Sequence, residues 1–156
     1  MTTVGTPERP AFLEEVPRLA GRKLRSRNIV LTPEMCDQFE HSTKLFEVFP
    51  DLTARRQPGV PAIVEGFMSM SMVDALIGTV LRYDPETVQT LNYGVDRSRF
   101  TRPIRCGETV WADIEVKSVR EKGDAYLVDY RCDLKSGENE LFAVVQWTVH
   151  ASRRPL

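Results

Sequence analysis

Residues 63–82 read IVEGFMSMSMVDALIGTVLR, and this stretch is the strongest helix that the sequence predicts. Apolar side chains recur on nearly every side of it, among them Val64, Phe67, Met68, Met72, Leu76 and Val80. A helix that is apolar nearly all round is expected to be buried. At about 1.5 Å per residue it would be roughly 30 Å long, which matches the width of a small sheet that could wrap around it.

Strands are predicted after this helix. Residues 108–119 alternate between apolar and polar side chains, which is the period of a half-buried strand. Strands at 126–134 and 141–150 follow across short polar turns that contain glycine, and an earlier strand is expected at 88–95. The pattern predicts an α+β fold in which one long buried helix packs against a curled antiparallel sheet.

The N-terminal part is expected to hold shorter elements. Residues 1–10 lack periodicity, which predicts a mobile arm before a single domain over 11–156. A short helix is expected within 11–20, although Pro17 interrupts it, and a strand over 23–31. Thr32 is the predicted N-cap of the next helix, with Pro33 at its first position. Prolines at 50 and 58 indicate a loop or short helical turns over 42–59.

The charge balance argues against two classes of partner. The chain has 156 residues, with 21 basic and 22 acidic side chains and a formal net charge of -1. Such a balance supplies no broad cationic field for nucleic acid or a membrane surface. No apolar run approaches the roughly 20 residues that span a bilayer, and the first residues lack the order of a signal peptide. We therefore expect a cytoplasmic protein.

The three cysteines, Cys36, Cys106 and Cys132, are far apart in sequence. They show no CxxC pattern and no metal-ligand spacing, so we expect reduced, mostly buried thiols without a redox or metal role. The sequence also lacks nucleotide-binding and zinc-protease motifs. It therefore indicates no cofactor and no metal.

Three stretches carry a family resemblance. They are LTPEMCDQF at 31–39, PAIVEGFM at 61–68 and LNYGVDRSRFTRPIRCGETV at 91–110. With them, residues 24–151 resemble the MaoC-like family, which includes R-specific enoyl-CoA hydratases, acyl-carrier dehydratases and nodulation-protein-N-like proteins. The second stretch is similar to the family's I-A-H-G entry into the central helix, and the third to its N-Y-G, R-F, P-V and G-D-x-V segment.

This resemblance implies a hot-dog fold, a long central helix wrapped by an antiparallel sheet, in a dimer whose protomers share one continuous sheet. It also implies acyl-CoA or acyl-carrier-protein thioesters of fatty-acid or polyketide biosynthesis as substrates. Both a homodimer and a heterodimer with a second hot-dog subunit are compatible with it.

The family's catalytic aspartate and histidine are missing from the matching positions. The resemblance places Leu45 at the aspartate and Pro50 at the histidine of its D-x-N-P-x-H motif, and neither side chain transfers protons. Glu47 and Asp51 lie close enough in sequence to take over part of that duty. For His41 and His150 we expect structural or solvent-facing roles.

Glu65 and Gly66 are the main remaining candidates for catalysis. A backbone N–H at Gly66, at a helix N-terminus, can donate to a thioester oxygen as negative charge develops on it. The alternative is that Gly66 only permits tight packing. Glu65 stands where the family has histidine, so it is either an acid–base group or a group that stabilises the helix start. Candidates for substrate binding are Phe67, Asn92, Tyr93, Arg97 and Arg99.

Three functional hypotheses follow. The first is a dehydratase or hydratase with non-standard acid–base residues, or an enzyme repurposed as a lyase, isomerase or cyclase. The second is a non-catalytic subunit that binds acyl chains or completes a heterodimer with an intact hydratase. The third is a regulatory, ligand-binding homodimer.

Overall fold

One sheet organises residues 3–4, 9–49 and 62–155, which are the residues that this computed structural model describes. Seven strands belong to it: β1 (Thr3–Val4), β2 (Lys23–Arg25), β3 (Ile29–Val30), β4 (Val88–Phe100), β5 (Thr109–Lys122), β6 (Ala125–Ser136) and β7 (Glu140–Arg153). Their order is β1-β2-β5-β6-β7-β4, and β3 also pairs with β5. All pairs are antiparallel except β1 with β2.

The three last strands form the predicted meander. β5, β6 and β7 pair in sequence order through turns in which Gly123 and Gly137 adopt φ values of 62° and 57°. Along β5, the apolar members of the alternation face the core and are at most 2% exposed: Val110, Ala112, Ile114 and Val116. The α+β class and the antiparallel meander are therefore confirmed.

The central helix is shorter than the sequence predicts. It spans Gly66–Gly78, not 63–82, so it is about 20 Å long at 1.5 Å per residue. Before it, Ile63 forms an isolated antiparallel bridge with Arg105, which holds the chain extended. After it, Thr79 is the C-cap and the chain continues in tight turns. The bridge at Ile63 and the C-cap at Thr79 therefore set the ends of the helix, although the apolar sequence pattern continues beyond both.

The helix is also less buried than the sequence predicts. Met68, Val73 and Leu76 face the core and are at most 3% exposed. Phe67 is 68% exposed, and Asp74, on the same helix, is also exposed. The sheet therefore covers only one side of this helix.

The predicted strand at 23–31 is two strands. β2 ends at Arg25 because the side-chain oxygen Ser26 Oγ, not a backbone carbonyl, accepts the hydrogen bond from Ala112 N–H (2.8 Å). Arg27 N–H then donates to Thr79 Oγ1 (2.9 Å). Pairing with β5 resumes in β3. The break comes from these side-chain hydrogen bonds, which a hydropathy pattern does not reveal.

The helices before the loop follow the predicted signals. A 3-10 helix, Leu13–Leu19, contains Pro17. Helix α1 spans Pro33–Ser42 and begins at the predicted N-cap, where Thr32 Oγ1 accepts a hydrogen bond from Met35 N–H (3.3 Å). A left-handed residue, Lys44 (φ 58°), turns the chain into the short helix α2, Leu45–Val48. The central helix is α3.

Thr3–Val4, within the predicted arm, form β1 and pair with β2. Among the described residues, no helix combines the length and apolarity needed to cross a bilayer.

Candidate functional site

The start of α3 is fixed by a short backbone pairing. Val64 N–H donates to Ile104 O (2.9 Å), and Cys106 N–H donates to Ala62 O (3.0 Å). Glu65 follows as the N-cap with φ -59° and ψ 136°, outside the helical region. The helix therefore begins at Gly66, directly after the sheet-like pairing ends.

The first turn of α3 presents donors. The first hydrogen bond of this turn runs from Ser69 N–H to Glu65 O at 3.1 Å, and Ser69 Oγ donates to the same oxygen at 3.3 Å. The N–H groups of Gly66, Phe67 and Met68 precede this bond, so the helix itself offers them no acceptor. Together with the helix dipole they create a positive potential at this end.

A cavity of about 420 Å³ opens at this helix end. Glu65 is partly buried in its wall, and its side chain does not cap the helix. The wall consists of Ile63, Val64, Glu65, Gly66, Ser69, Phe100, Thr101, Arg102, Pro103, Ile104 and Phe142. The structure thus brings the two main catalytic candidates, Glu65 and Gly66, into one cavity.

Phe100 packs directly on Gly66. A Cβ added at residue 66 would lie 3.1 Å from the ring atoms Cε2 and Cζ of Phe100. The ring is 43% exposed, so it forms part of the open side of the cavity. Gly66 therefore has a role in packing, independent of any hydrogen bond that its N–H donates to a substrate.

Arg102 is a cavity residue that sequence reasoning missed. Its Nη2 donates to Ser136 Oγ (2.5 Å) and lies 3.1 Å from Glu140 Oε2. Its Nε is buried and, within the described part of the chain, has no hydrogen-bond partner. The sequence could have indicated it, because Arg102 lies between Phe100 and Pro103 in the stretch 91–110 that resembles the MaoC-like family.

Glu108 anchors the turn beside Arg102. Its carboxylate accepts hydrogen bonds from Arg105 N–H (2.8 Å) and Ser136 Oγ (2.7 Å). Partial burial raises the pKa of Glu108, but the bonds from Ser136 and Arg105 and the charge of Arg102 outweigh burial and leave the pKa below its ordinary value. A fixed anion therefore lies 3.7 Å from the guanidinium of Arg102, which belongs to the cavity wall.

The other proposed acid–base residues lie elsewhere. Glu47 is exposed on α2, where its carboxylate lies 3.5 Å from Lys44 Nζ, and it does not line the cavity. Asp51 and Pro50 lie outside the described residues. Leu45, at the position that matches the family's aspartate, is the first residue of α2. Phe67 does not line the cavity and is largely exposed.

Asn92 and Tyr93 line a second cavity of about 250 Å³ between β4 and the middle of α3. Phe100 lies eight positions beyond Asn92 on the same strand, a distance of roughly 25 Å. Arg97 and Arg99 are exposed on β4 between these points. None of these four residues lines the cavity at Glu65.

Tyr93 occupies a β-bulge in β4. Its hydroxyl accepts a hydrogen bond from Lys122 Nζ (2.8 Å), which lowers the pKa of the phenol. His150 stacks on it with ring centroids 6.5 Å apart. His41 lies on α1 against Phe46, at 4.5 Å between centroids, so neither histidine lines the cavity at Glu65.

A larger cavity of about 880 Å³ lies at the C-terminal end of α3. Tyr83 and Tyr130 contribute to its wall and share a hydrogen bond between their hydroxyls (2.5 Å). Burial raises the pKa of Tyr83 to about 12. Among the described residues, no group of three or more potential metal ligands comes together.

Two curated proteins are similar to this chain in sequence. The nodulation protein N of Rhizobium leguminosarum bv. viciae is 28% identical over 120 residues, which cover 74% of each chain. The nodulation protein N of Rhizobium meliloti (strain 1021) is 25% identical over 149 residues, or 92% of each chain. No protein-family model matches the chain.

Solved structures identify the fold. The monoamine oxidase regulatory protein of an Archaeoglobus species superposes with a TM-score of 0.71 at 22% identity, covering 97% of this chain and 99% of that one. A MaoC-like dehydratase from Rhodospirillum rubrum gives 0.65 at 18% identity, with coverage of 94% and 99%. This chain has the hot-dog fold. The resemblance to MaoC-like proteins seen in the sequence is thereby confirmed.

A third hot-dog structure is a complex of two chains. The C-terminally truncated HadBC complex of Mycobacterium tuberculosis, a 3R-hydroxyacyl-ACP dehydratase, gives a TM-score of 0.60 at 18% identity. The match covers 85% of this chain and 96% of the other.

Proposed function

We propose that this hot-dog protein is a lyase of the MaoC-like type that adds water to 2-enoyl thioesters, or removes it from 3-hydroxyacyl thioesters, with Glu65 as its acid–base group. The observation that carries the proposal is the cavity whose wall contains both Glu65 and Gly66, the residue at which α3 begins. The proposed substrates are acyl-CoA or acyl-carrier-protein thioesters of fatty-acid or polyketide biosynthesis in the cytoplasm.

The chemistry needs two parts, and this end of α3 supplies both. The Glu65 carboxylate takes a proton from water while the water oxygen adds to the β-carbon, and it returns that proton to the α-carbon. Negative charge develops meanwhile on the thioester oxygen, where the N–H of Gly66 is the proposed donor. A donor of this kind contributes about 3 kcal/mol to transition-state stabilisation. Arg102 lies in the cavity wall, but its charge is offset by the carboxylates of Glu140 (3.1 Å) and Glu108 (3.7 Å), so we assign the stabilising potential to the helix end.

The remaining candidate site residues would take part in function through formation of a dimer. We propose a dimer of single hot-dog domains over 11–156, formed along β4, whose second edge has no partner strand among the described residues. In such a dimer Phe67, Asn92, Tyr93, Arg97 and Arg99 contact substrate or the partner protomer. Glu47 and Asp51 remain alternative acid–base residues.

A second candidate function has specific support. The positions that match the family's Asp and His hold Leu45 and Pro50, and a structural neighbour, HadBC, is a complex of two chains. On this alternative the chain is a non-catalytic hot-dog subunit that binds the acyl chain and completes a heterodimer with an intact hydratase.

Crotonyl-CoA hydration by the full chain, followed at the enoyl-thioester absorbance, tests the proposal. We expect turnover by the wild-type chain and a loss of 10²–10⁴-fold in Glu65→Gln, the usual range for an acid–base group. Glu47→Gln is the matched control, because Glu47 is exposed and away from the cavity.

Full activity of Glu65→Gln would return Glu65 to a helix-end role, and loss in Glu47→Gln alone would move the acid–base duty to α2. The subunit function is supported if the chain alone turns over neither crotonyl-CoA nor 3-hydroxyacyl thioesters, but co-purifies with an intact hot-dog hydratase and raises its turnover above that of the hydratase alone.

A further inference from the structure

Cys36 and Cys106 lie side by side although 70 positions separate them in sequence. Their Sγ atoms are 2.9 Å apart. Cys36 lies in the first half of α1 and is 2% exposed, whereas Cys106 follows the strand-like pairing of Arg105 and is partly exposed. The fold thus creates a thiol pair that the cysteine spacing gave no reason to expect.

The pair is close to the geometry of a disulfide. A disulfide bond is about 2.05 Å long, so the two sulfurs need to approach by about 0.9 Å. We propose that Cys36 and Cys106 are a site of reversible oxidative modification, at which a hydroperoxide converts the two thiols into an intramolecular disulfide. The proposal does not depend on the function proposed above.

The exposure of the two thiols sets the order of steps. A hydroperoxide reaches Cys106 first, because Cys36 is buried. The Cys106 sulfur attacks hydrogen peroxide, the O–O bond breaks, and sulfenic acid and water form. The Cys36 sulfur then attacks the Cys106 sulfur, the S–O bond breaks, and hydroxide leaves with the Cys36 proton as a second water. Two thiols and one peroxide give one disulfide and two waters.

The bond would connect two segments that meet at Cys106. Gly107 N–H donates to Leu31 O (2.7 Å), which leads into α1, and Cys106 N–H donates to Ala62 O (3.0 Å), which leads to Glu65. A disulfide would add a covalent link from α1 to this crossing point. Oxidation therefore restrains α1 against the segment from which α3 begins.

Cys132 serves as an internal reference. It lies on β6 with no exposed surface, and burial raises the pKa of its thiol to about 12. A buried, protonated thiol reacts slowly with oxidants. We therefore expect it to survive the treatment that oxidises the pair.

The test is a thiol count on the full chain before and after hydrogen peroxide, with alkylation after unfolding. The chain has three cysteines, so we expect three alkylated thiols before and one after, with three again after dithiothreitol. Peptide mapping should find Cys36 joined to Cys106 within one chain. The thermal midpoint of the oxidised protein should rise on the order of 10 °C, because the bond closes a long loop.

Two variants keep the result interpretable. In Cys106→Ser, at a partly exposed position, both remaining thiols should persist; in Cys132→Ala, both remaining thiols should disappear. The proposal is overturned if three thiols persist in the wild type, if they are lost as sulfinic acids, or if the bond joins two chains. An unchanged thermal midpoint despite the bond would overturn the restraint on α1.

Discussion

The phenyl ring of Phe100 covers Gly66 so closely that a Cβ at residue 66 would lie 3.1 Å from it. Phe100 ends β4, and Gly66 begins α3. This contact therefore joins the edge strand to the helix end at which the candidate site opens.

Gly66→Ala should destabilise the protein, because the new methyl group must displace the Phe100 ring. The ring is 43% exposed and has to shift by only a few tenths of an ångström, so the cost should lie at the low end of the roughly 1–3 kcal/mol of core overpacking, and the thermal midpoint should fall by a few degrees. Gly78→Ala is the matched control at the other end of the same helix, where an added Cβ meets nothing within 4 Å. It should be neutral or slightly stabilising. Equal midpoints for the two variants in thermal unfolding would contradict this assignment.

The Tyr83–Tyr130 pair should make stability fall at alkaline pH. Burial holds the pKa of Tyr83 at about 12, above its ordinary 10.0, so the folded state keeps a proton that the unfolded chain releases. This contribution is complete below pH 10 and is lost as the pH rises to about 12. In urea unfolding, the double Tyr→Phe variant should show a flatter decline over this range. An unchanged slope would mean that the pair does not couple to folding.

Each hydroxyl of that pair needs the other. Tyr83→Phe alone should cost about 1–3 kcal/mol, since it leaves the buried Tyr130 hydroxyl without this partner. The double Tyr→Phe variant should cost less than the sum of the two single variants. Strict additivity in the same unfolding series would contradict the contact.

Asp129 should stabilise the fold above about pH 4. Partial burial raises the pKa of Asp129, but hydrogen bonds from Arg120, Ser118 and Thr148 outweigh it, and the pKa lies below its ordinary 3.8. Its contribution is therefore present above pH 4 and disappears as the pH falls through the folded-state pKa.

Asp129→Asn should lower the free energy of unfolding by about 1–2 kcal/mol at pH 7 and by less at pH 3, which lies below the ordinary carboxyl pKa of 3.8. Asp133→Asn is the control, because Asp133 has a partly exposed ion pair with Arg131 (3.0 Å) and should change stability by less than about 1 kcal/mol. Urea unfolding at both pH values separates the variants; a pH-independent effect of Asp129→Asn would contradict the role of its charge.

The exposed apolar side chains of β4 predict assembly through this strand. Leu91, Tyr93, Val95 and Phe100 are 43–53% exposed. Val95→Lys should shift the mass in light scattering from dimer to monomer. Val30→Lys, at a similarly exposed valine on β3 (47%), should leave the mass unchanged. A wild-type monomer, or a dimer that survives Val95→Lys, would remove β4 from the proposed interface.

The sequence predicted the parts of this fold that depend on local pattern. The alternation along β5 and the Thr32 N-cap are found as expected, because both express local rules of burial and hydrogen bonding. The ends of α3 were wrong by three and four residues, since the bridge from Ile63 to Arg105 is a long-range contact. The break at Ser26 has the same origin.

In the candidate site, too, local features could be predicted from the sequence and long-range contacts could not. Glu65 and Gly66 are adjacent in sequence, so their common position followed from the helix start. Arg102 joins their cavity only because β4 ends beside that helix start, a contact between distant segments. Cys36 and Cys106 meet for the same reason, and composition alone gave them no connection.

The pairing of β4 also sets an order for folding. Val88 pairs with Arg153 and Phe100 with Ala143, so the only strand partner that β4 has among the described residues is the last strand of the chain. β5 and β6, in contrast, pair across a tight turn. During synthesis β4 therefore remains unpaired, with its apolar residues exposed to solvent, until β7 has left the ribosome. Slow closure of this strand would expose the nascent chain to aggregation, and the hairpins of the meander would form first.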